Sequence, residues 1–117
     1  EETKYIKEYY ETGQVEAEGT LKGGEKEGLW KHYYEHGNDQ LWLEINWKGG
    51  KLEGVTKAYH PNGQLGAVRY HKDNELEGPY LEFYDNGQLK SEMNYKEGYL
   101  TSDKCWDENG NQKEHCE

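Results

Sequence analysis

Residues 79–98 read Pro79-Tyr-Leu-Glu-Phe-Tyr-Asp-Asn-Gly-Gln-Leu-Lys-Ser-Glu-Met-Asn-Tyr-Lys-Glu-Gly98, which is the pattern of a single β-hairpin. Two runs of alternating apolar and polar residues flank Asn86-Gly87, and this arrangement is the strongest short-range hairpin signal that a sequence carries. Similar stretches recur along the whole chain, so we interpret the hairpin as one copy of a repeat.

The turn glycines define the length of the repeat. They lie 24, 26, 24 and 23 residues apart, and an aromatic residue stands four positions before each of them. The extra residues of the second copy, Asn38-Asp39, are interpreted as an insertion in its loop. The glycines are Gly13, Gly37, Gly63, Gly87 and Gly110, and the aromatic residues are Tyr9, Tyr33, Tyr59, Phe83 and Trp106. The chain is therefore predicted to be one repeat domain, 1–117, with repeats at about 5–28, 29–54, 55–78 and 79–102 and a partial copy at 103–117.

One copy indicates the type of hairpin turn. In His60-Pro61-Asn62-Gly63 the fixed φ of proline suits the second position of a type I turn, with the glycine following in the left-handed conformation. This three-residue loop pairs Phe83 with Leu89, Tyr9 with Val15, Tyr33 with Leu41 and Tyr59 with Leu65. Tight-turn dipeptides join successive hairpins antiparallel. They are Gly23-Gly24, Gly49-Gly50, Asp73-Asn74 and Glu97-Gly98.

The predicted fold is all-β, an antiparallel meander of about 4.5 hairpin repeats that forms an elongated, twisted single sheet. Glycine recurs too often for an amphipathic helix to form. The expected strands are 5–10, 14–21, 28–35, 40–47, 54–60, 64–71, 79–84 and 88–95, with a ragged pair near 104–107 and 112–116.

This register predicts two different faces. One face is expected to hold the cross-hairpin pairs together with Ala17, Leu43, Ile45, Ala67 and Met93. A bulge is expected near Gly66, because Val68 and Tyr70 fall out of phase. The opposite face is expected to be aromatic and acidic, and exposed Tyr and Trp rimmed by charge are typical interface anchors. The predicted partner-binding residues are Tyr10, Trp30, Tyr34, Trp42, Glu44, His60, Tyr80, Glu82 and Tyr84. The alternative is that these columns only pack a repetitive sheet.

The net charge of −10 bears on the choice of partner. Nucleic acids and anionic membranes are bound by clustered Lys and Arg, so neither is expected to bind this chain. A protein partner with a basic surface is favoured instead. The alternative is that the charge only keeps an open sheet soluble.

Catalytic chemistry has little support in the sequence. The two serines, Ser91 and Ser102, lie outside any nucleophile-elbow pattern. His32 and His36 would be about 13 Å apart along a strand. Carboxylates are so abundant that no particular pair is indicated as a glycosidase dyad. We therefore expect no enzyme activity, no catalytic residues, no metal site and no cofactor.

The two cysteines, Cys105 and Cys116, both lie in the partial repeat. They permit one terminal disulfide, although in the expected register they face opposite sides and the terminus would have to curl. Whether they are bonded stays open at this point. An exported location, periplasmic or at the cell surface, is favoured over the cytoplasm.

Three segments carry a family resemblance. Trp30-Lys-His-Tyr-Tyr-Glu-His-Gly37, Lys51-Leu-Glu-Gly54 and Phe83-Tyr-Asp-Asn-Gly-Gln-Leu-Lys-Ser-Glu92 resemble the bacterial variant of the MORN repeat found in YwqK-like antitoxin and immunity proteins. The resemblance covers about 5–102 and implies a meander of hairpins that neutralises a toxin encoded alongside it by direct binding. The predicted function is therefore a non-enzymatic antitoxin or immunity module that binds a cognate toxin through an acidic, aromatic-rich sheet face. The alternatives are a cell-wall or glycan-binding module, in which Trp and Tyr clamp the ligand, and a structural scaffold.

Overall fold

The computed structural model describes residues 2–116, which form one antiparallel sheet of ten strands in chain order. The sheet measures 50 × 34 × 16 Å, so the predicted elongated meander is confirmed. None of the described residues belongs to a helix that is long and apolar enough to cross a membrane. The strands are β1 (Thr3–Tyr9), β2 (Val15–Lys22), β3 (Glu25–Tyr33), β4 (Leu41–Lys48), β5 (Lys51–Tyr59), β6 (Leu65–Lys72), β7 (Glu75–Phe83), β8 (Leu89–Lys96), β9 (Tyr99–Trp106) and β10 (Gln112–Lys113).

The hairpin loops have the predicted three-residue form. In the third hairpin the Gly63 N–H donates to the His60 carbonyl, and the His60 N–H donates to the Gln64 carbonyl. Gly63 has a φ of 91°, the left-handed conformation that favours glycine. In the second hairpin the Asn38-Asp39 insertion lengthens the loop, which the Tyr34 N–H closes by donating to Gln40.

The connectors between hairpins are also as predicted. Both residues of each dipeptide have positive φ, for example 49° at Asp73 and 74° at Asn74. Such turns match the right-handed twist of the flanking strands. Lys72 pairs directly with Glu75 across this connector.

Strands β3 and β5 begin three residues earlier than expected, and β7 begins four residues earlier. Between β2 and β3 the register is irregular, because the single residue Gly19 lies opposite the three residues 28–30. Gly28 absorbs the extra length with a φ of 76°, and Gly54 and Gly78 have the same role with φ of 96° and 84°. The strand therefore continues through a glycine that sequence patterns treat as an end.

In each of the first four hairpins, a bulge follows the first residue pair of the strands after the loop. In the fourth hairpin Phe83 pairs with Leu89 and Glu82 with Ser91, so Lys90 has no opposite residue. The bulge predicted near Gly66 is confirmed. Bulges were not expected in the other hairpins, where the additional residues are Glu16, Trp42 and Lys90.

These bulges overturn the predicted assignment of faces. A slip of one residue moves every following side chain to the other side of the sheet. Leu43 therefore lies opposite His32, and Ile45 lies opposite Trp30, rather than on the side of Tyr33. Ala17, Ala67 and Met93 change sides for the same reason.

We call the two sides the core face and the charged face. The core face holds Ala17, Trp30, Thr56, Ser91 and Cys105, which are five of the six buried apolar or polar side chains among the described residues. The charged face holds the row Lys7, Glu18, Lys31, Glu44, Lys57, Val68, Leu81, Glu92 and Lys104, in which each residue lies on the next strand opposite its neighbour. Its one buried member is Val68.

Trp30 is the largest buried side chain, at 1% exposure. Its indole ring lies over Gly19, where a Cβ atom would be only 2.3 Å from the ring. Its Nε1 donates to the Thr20 carbonyl at 2.9 Å. The Lys26 ammonium lies 5.0 Å from the rings of both Trp30 and Trp47. A single sheet thereby buries a large ring without a second layer.

Candidate functional site

The predicted binding residues do not form one exposed surface. Trp30 is buried, so the prediction that it contributes to a surface is wrong. Glu44 lies on the charged face, whereas Tyr80 and Glu82 lie on the core face, because the bulge at Trp42 reverses β4 relative to the expected register. The ring centroids of Tyr80 and Tyr95 are 6.3 Å apart, and Glu82 accepts a hydrogen bond from the Ser91 hydroxyl.

The second aromatic position of each repeat forms a ladder between hairpins. The Tyr10 hydroxyl donates to the Tyr33 carbonyl at 2.6 Å, and the Tyr34 hydroxyl donates to the Tyr59 carbonyl. His60 Nε2 lies 2.8 Å from the Phe83 carbonyl, which can only accept, so Nε2 is the donor of this hydrogen bond. The Tyr84 hydroxyl completes the ladder by donating to Trp106. The polar ends of these predicted contact residues therefore join successive repeats.

A second ladder lies at the opposite edge of the sheet and was missed by the sequence analysis. In three repeats the glutamate just before Gly28, Gly54 or Gly78, which we call the bulge glycines, accepts a hydrogen bond from a backbone N–H of the next connector. Glu27 binds Gly49, Glu53 binds Asp73 and Glu77 binds Glu97, at 2.9 to 3.0 Å. The Glu-Gly pair that recurs in three copies is the sequence signal that could have predicted this ladder. These carboxylates satisfy turn N–H groups that would otherwise be left to solvent.

Trp42 is the predicted binding residue that remains most accessible. It is 41% exposed, and its ring centroid lies 5.8 Å from that of Tyr34. As the bulge residue of the second hairpin, it lies two residues after the long loop 35–40. A large aromatic side chain held against another ring is typical of an interface anchor.

We call the edge that carries the hairpin loops the hairpin edge, and the edge that carries the connectors the connector edge. The hairpin loops, 11–14, 35–40, 61–64, 85–88 and 107–111, contain six carboxylates and no Lys or Arg. The carboxylates are Glu11, Glu35, Asp39, Asp85, Asp107 and Glu108. The connector turns, 22–25, 48–51, 72–75 and 96–99, contain five lysines and four carboxylates. The formal charge is thus −6 at the hairpin edge and +1 at the connector edge.

Comparison with protein families accounts for the repeat. The family described as "MORN repeat variant" matches residues 4–22, 26–48, 52–65 and 76–97, which is two thirds of the chain. The chain belongs to this family. The searches of curated proteins and of solved structures gave no match.

The first MORN repeats also share a contact on the charged face. Glu18 accepts hydrogen bonds from Tyr33 and Tyr5 at 2.6 and 2.7 Å, and the pKa of Glu18 is therefore lowered. Burial and the bond to Glu44 together raise the pKa of Tyr59 to about 12. Tyr33 and Tyr59 thus each reach back to a glutamate of the preceding repeat, whereas Tyr5 binds a glutamate of its own repeat.

The histidines of the MORN repeats are dispersed. Burial lowers the pKa of His32, while His36 lies in the second loop with a φ of 62°. His60 Nδ1 lies 3.3 Å from the Asp85 carboxylate, beside the ladder. Within residues 2–116, no group of three or more His, Cys, Asp or Glu side chains is placed to hold a metal ion.

The partial copy after the last MORN repeat is closed by a disulfide. Cys105 and Cys116 are bonded, with their Cα atoms 5.3 Å apart. Lys113 pairs with Cys105, and the chain then leaves the sheet and turns back, which is the curl that the bond requires. The cysteines are therefore on the same side after all.

Proposed function

We propose that this protein is a non-enzymatic protein-binding module that neutralises a cognate bacterial toxin by direct contact, as an antitoxin or immunity protein. The observation that carries the proposal is the charge of the hairpin edge, where four of the five loops present six carboxylates and none of the five contains a Lys or Arg. The partner surface is basic. The membership of the MORN repeat variant family supports a repeat-based binding module.

The geometry of this edge suits recognition of a protein. The repeat places the loops side by side along a sheet 50 Å long, and their backbone bonds hold them in a defined shape. A toxin that acts on an anionic substrate carries a basic cleft. An acidic edge reaches such a cleft quickly, because long-range attraction steers the encounter. Trp42 supplies the aromatic anchor beside these charges.

The edge replaces the sheet face as the proposed contact surface. The hydroxyl groups of Tyr10, Tyr34 and Tyr84 are occupied in the ladder between hairpins. By contrast, Glu11, Glu35 and Asp39 are exposed at the loops. Trp42 links the two regions, since its ring packs at a tilt of 37° against that of Tyr34 and it follows the second loop in the chain.

The test measures how this chain binds the protein that is encoded by the adjacent gene. The hairpin-edge variant Glu11→Gln, Glu35→Gln, Asp39→Asn is expected to associate more than about tenfold more slowly at low salt, with a smaller salt dependence. Trp42→Ala is expected to weaken the complex by about 2 kcal/mol, mainly through faster dissociation.

The matched control removes the same number of charges from the connector edge, as Glu25→Gln, Glu75→Gln, Glu97→Gln. This variant is expected to bind within about twofold of the natural protein. The absence of a complex at low salt, or equal losses in both triple variants, would contradict the proposal. Capture on purified peptidoglycan instead would favour a glycan-binding module.

A further inference from the structure

One position on the charged face differs between repeats in an informative way. Where the second strand of one hairpin meets the first strand of the next, the central pair is Glu18 with Lys31, Glu44 with Lys57, and Glu92 with Lys104. Between β6 and β7 the same position holds Val68 and Leu81. An oppositely charged pair has thus been replaced by an apolar pair at one place, near the middle of the sheet.

A third change accompanies these two. The Tyr33 hydroxyl donates to Glu18, and the Tyr59 hydroxyl donates to Glu44. The residue on β7 that corresponds to Tyr33 and Tyr59 is Phe83, which has no hydroxyl. The residue on β6 that corresponds to Glu18 and Glu44 is Val68, which has no carboxylate. The hydroxyl donor, its acceptor and the neighbouring lysine are therefore all lost together.

The result is an apolar stripe that crosses the charged face from edge to edge. It consists of Leu65, Val68 and Tyr70 on β6 and Pro79, Leu81 and Phe83 on β7. Tyr70 is 40% exposed and Pro79 is exposed as well, Leu65, Leu81 and Phe83 are half-buried, and Val68 is buried between them. The described chain forms one sheet, and no second layer of it covers this stripe. A contiguous apolar patch with a charged rim is characteristic of an interface.

We propose that a second copy of this chain covers the stripe in a symmetric face-to-face dimer. The two-fold axis lies above the charged face, parallel to the strands, and over the line between β6 and β7. Rotation about this axis places Val68 over Leu81 of the second copy, and likewise pairs Leu65 with Phe83 and Tyr70 with Pro79. An isologous contact of this kind requires a self-complementary surface.

The charges that flank the stripe meet this requirement. Lys57 lies one strand outside the stripe on β5, and Glu92 lies one strand outside it on β8. The same rotation places Lys57 over Glu92 of the second copy. One strand further out, it places Glu44 over Lys104. An axis through β5 would place Lys57 on itself, whereas an axis between β3 and β4 would also pair opposite charges. The apolar stripe therefore selects the axis, and the flanking charges are compatible with it.

The contact is limited to the central strands and leaves the proposed toxin surface free. Two twisted sheets pack face to face about 10 Å apart and separate toward their ends. The hairpin edge and the core face take no part in the contact. The dimer therefore does not depend on the proposed function.

The test is sedimentation velocity of the full chain over a range of concentrations. The natural protein is expected to have twice the mass of one chain. Leu81→Lys is expected to weaken the dimer at least about tenfold, because a lysine then faces Val68 of the second copy. This variant keeps the fold, since lysine occupies the same position at 31, 57 and 104. Leu100→Lys, which changes a half-exposed leucine on β9 outside the stripe, is the matched control.

A charge exchange identifies the axis. Lys57→Glu and Glu92→Lys are each expected to weaken the dimer about tenfold, and the double variant is expected to restore it. In one chain these residues are about 14 Å apart, three strand spacings, so the recovery must arise between chains. A monomer at all concentrations, a dimer that Leu81→Lys leaves intact, or a double variant no tighter than the single ones would each overturn the proposal.

Discussion

At the scale of residues, the same side-chain types have different roles according to the strand position that holds them. Trp30 is buried because Gly19 on the neighbouring strand leaves room for its ring, whereas Trp42 is a bulge residue and stays accessible. Likewise Glu53 binds a connector N–H, while Glu18 accepts two tyrosine hydroxyls. Composition alone counts these residues but does not separate their roles.

Glu18 provides a prediction of pH dependence. The hydrogen bonds from Tyr33 and Tyr5 lower its pKa in the folded state below the ordinary value of 4.5. The stabilisation is therefore complete above that value and is lost as the pH falls through the lower, folded-state pKa. Glu18→Gln does not titrate, so its free energy of unfolding should fall less than that of the natural protein between about pH 5 and pH 3.

Chemical denaturation at several pH values measures this difference. Glu11→Gln is the matched control, because Glu11 is an exposed loop carboxylate. The control should follow the pH dependence of the natural protein. If Glu18→Gln also followed it, the hydroxyl contacts would not stabilise the folded state.

At the scale of elements, each hairpin is attached to the next at both edges. The tyrosine and histidine ladder joins the hairpin-loop ends, and the glutamates before the bulge glycines join the connector ends. Between the ladders, ring packing such as Trp30 over Gly19 occurs within the core face. A hairpin with so few buried side chains is therefore held mainly by polar contacts between neighbours.

Tyr34→Phe tests the ladder. The change removes the hydroxyl that donates to the Tyr59 carbonyl but keeps the ring against Trp42. We expect the free energy of unfolding to fall by about 1 kcal/mol, because a half-buried carbonyl loses its donor. Tyr99→Phe is the control, since Tyr99 is 76% exposed. Equal losses in the two variants, measured by urea denaturation, would contradict a specific role for the ladder.

At the scale of the whole molecule, the sheet is a linear array in which each strand pairs only with its neighbours in the sequence. Its two ends differ. β1 is a seven-residue edge strand, whereas β10 has only two residues and is followed by the disulfide to Cys105. The bond holds a strand that two residue pairs alone would not keep in place.

Cys116→Ser is expected to open this end and leave the rest of the array intact. Closing an 11-residue separation stabilises the attached segment by about 3 kcal/mol, so its loss should speed amide exchange at Gln112 and Lys113. Exchange in β1 to β8 should stay unchanged, because stability in such arrays is local. Reduction of the natural protein should reproduce the pattern in hydrogen exchange. Faster exchange throughout the sheet would show instead that the array unfolds as one unit.

Local sequence signals predicted the repeat, the loop around Gly63, the connectors and the order of the strands, because each depends on a few adjacent residues with restricted φ. Trp42, which they predicted for a binding surface, is accessible, and its role in binding stays a prediction. They failed for Glu44, because the bulge at Trp42 moves it to the other side of the sheet, and for Trp30, because the bulges bring Ala17, Leu43 and Ile45 to its side. The bulge positions hold residues as different as Glu16, Trp42, Gly66 and Lys90, so residue type does not predict them.

The sequence by itself therefore determined that this chain is a meander of hairpins, since turn geometry is encoded locally. Only the tertiary structure decided which side chains face which way. It joined the Tyr34 hydroxyl to a carbonyl 25 residues away and gathered the six loop carboxylates at one edge. It also aligned Val68 with Leu81 in place of a charged pair. These contacts depend on the register between strands, which a shift of one residue at a bulge is enough to reverse.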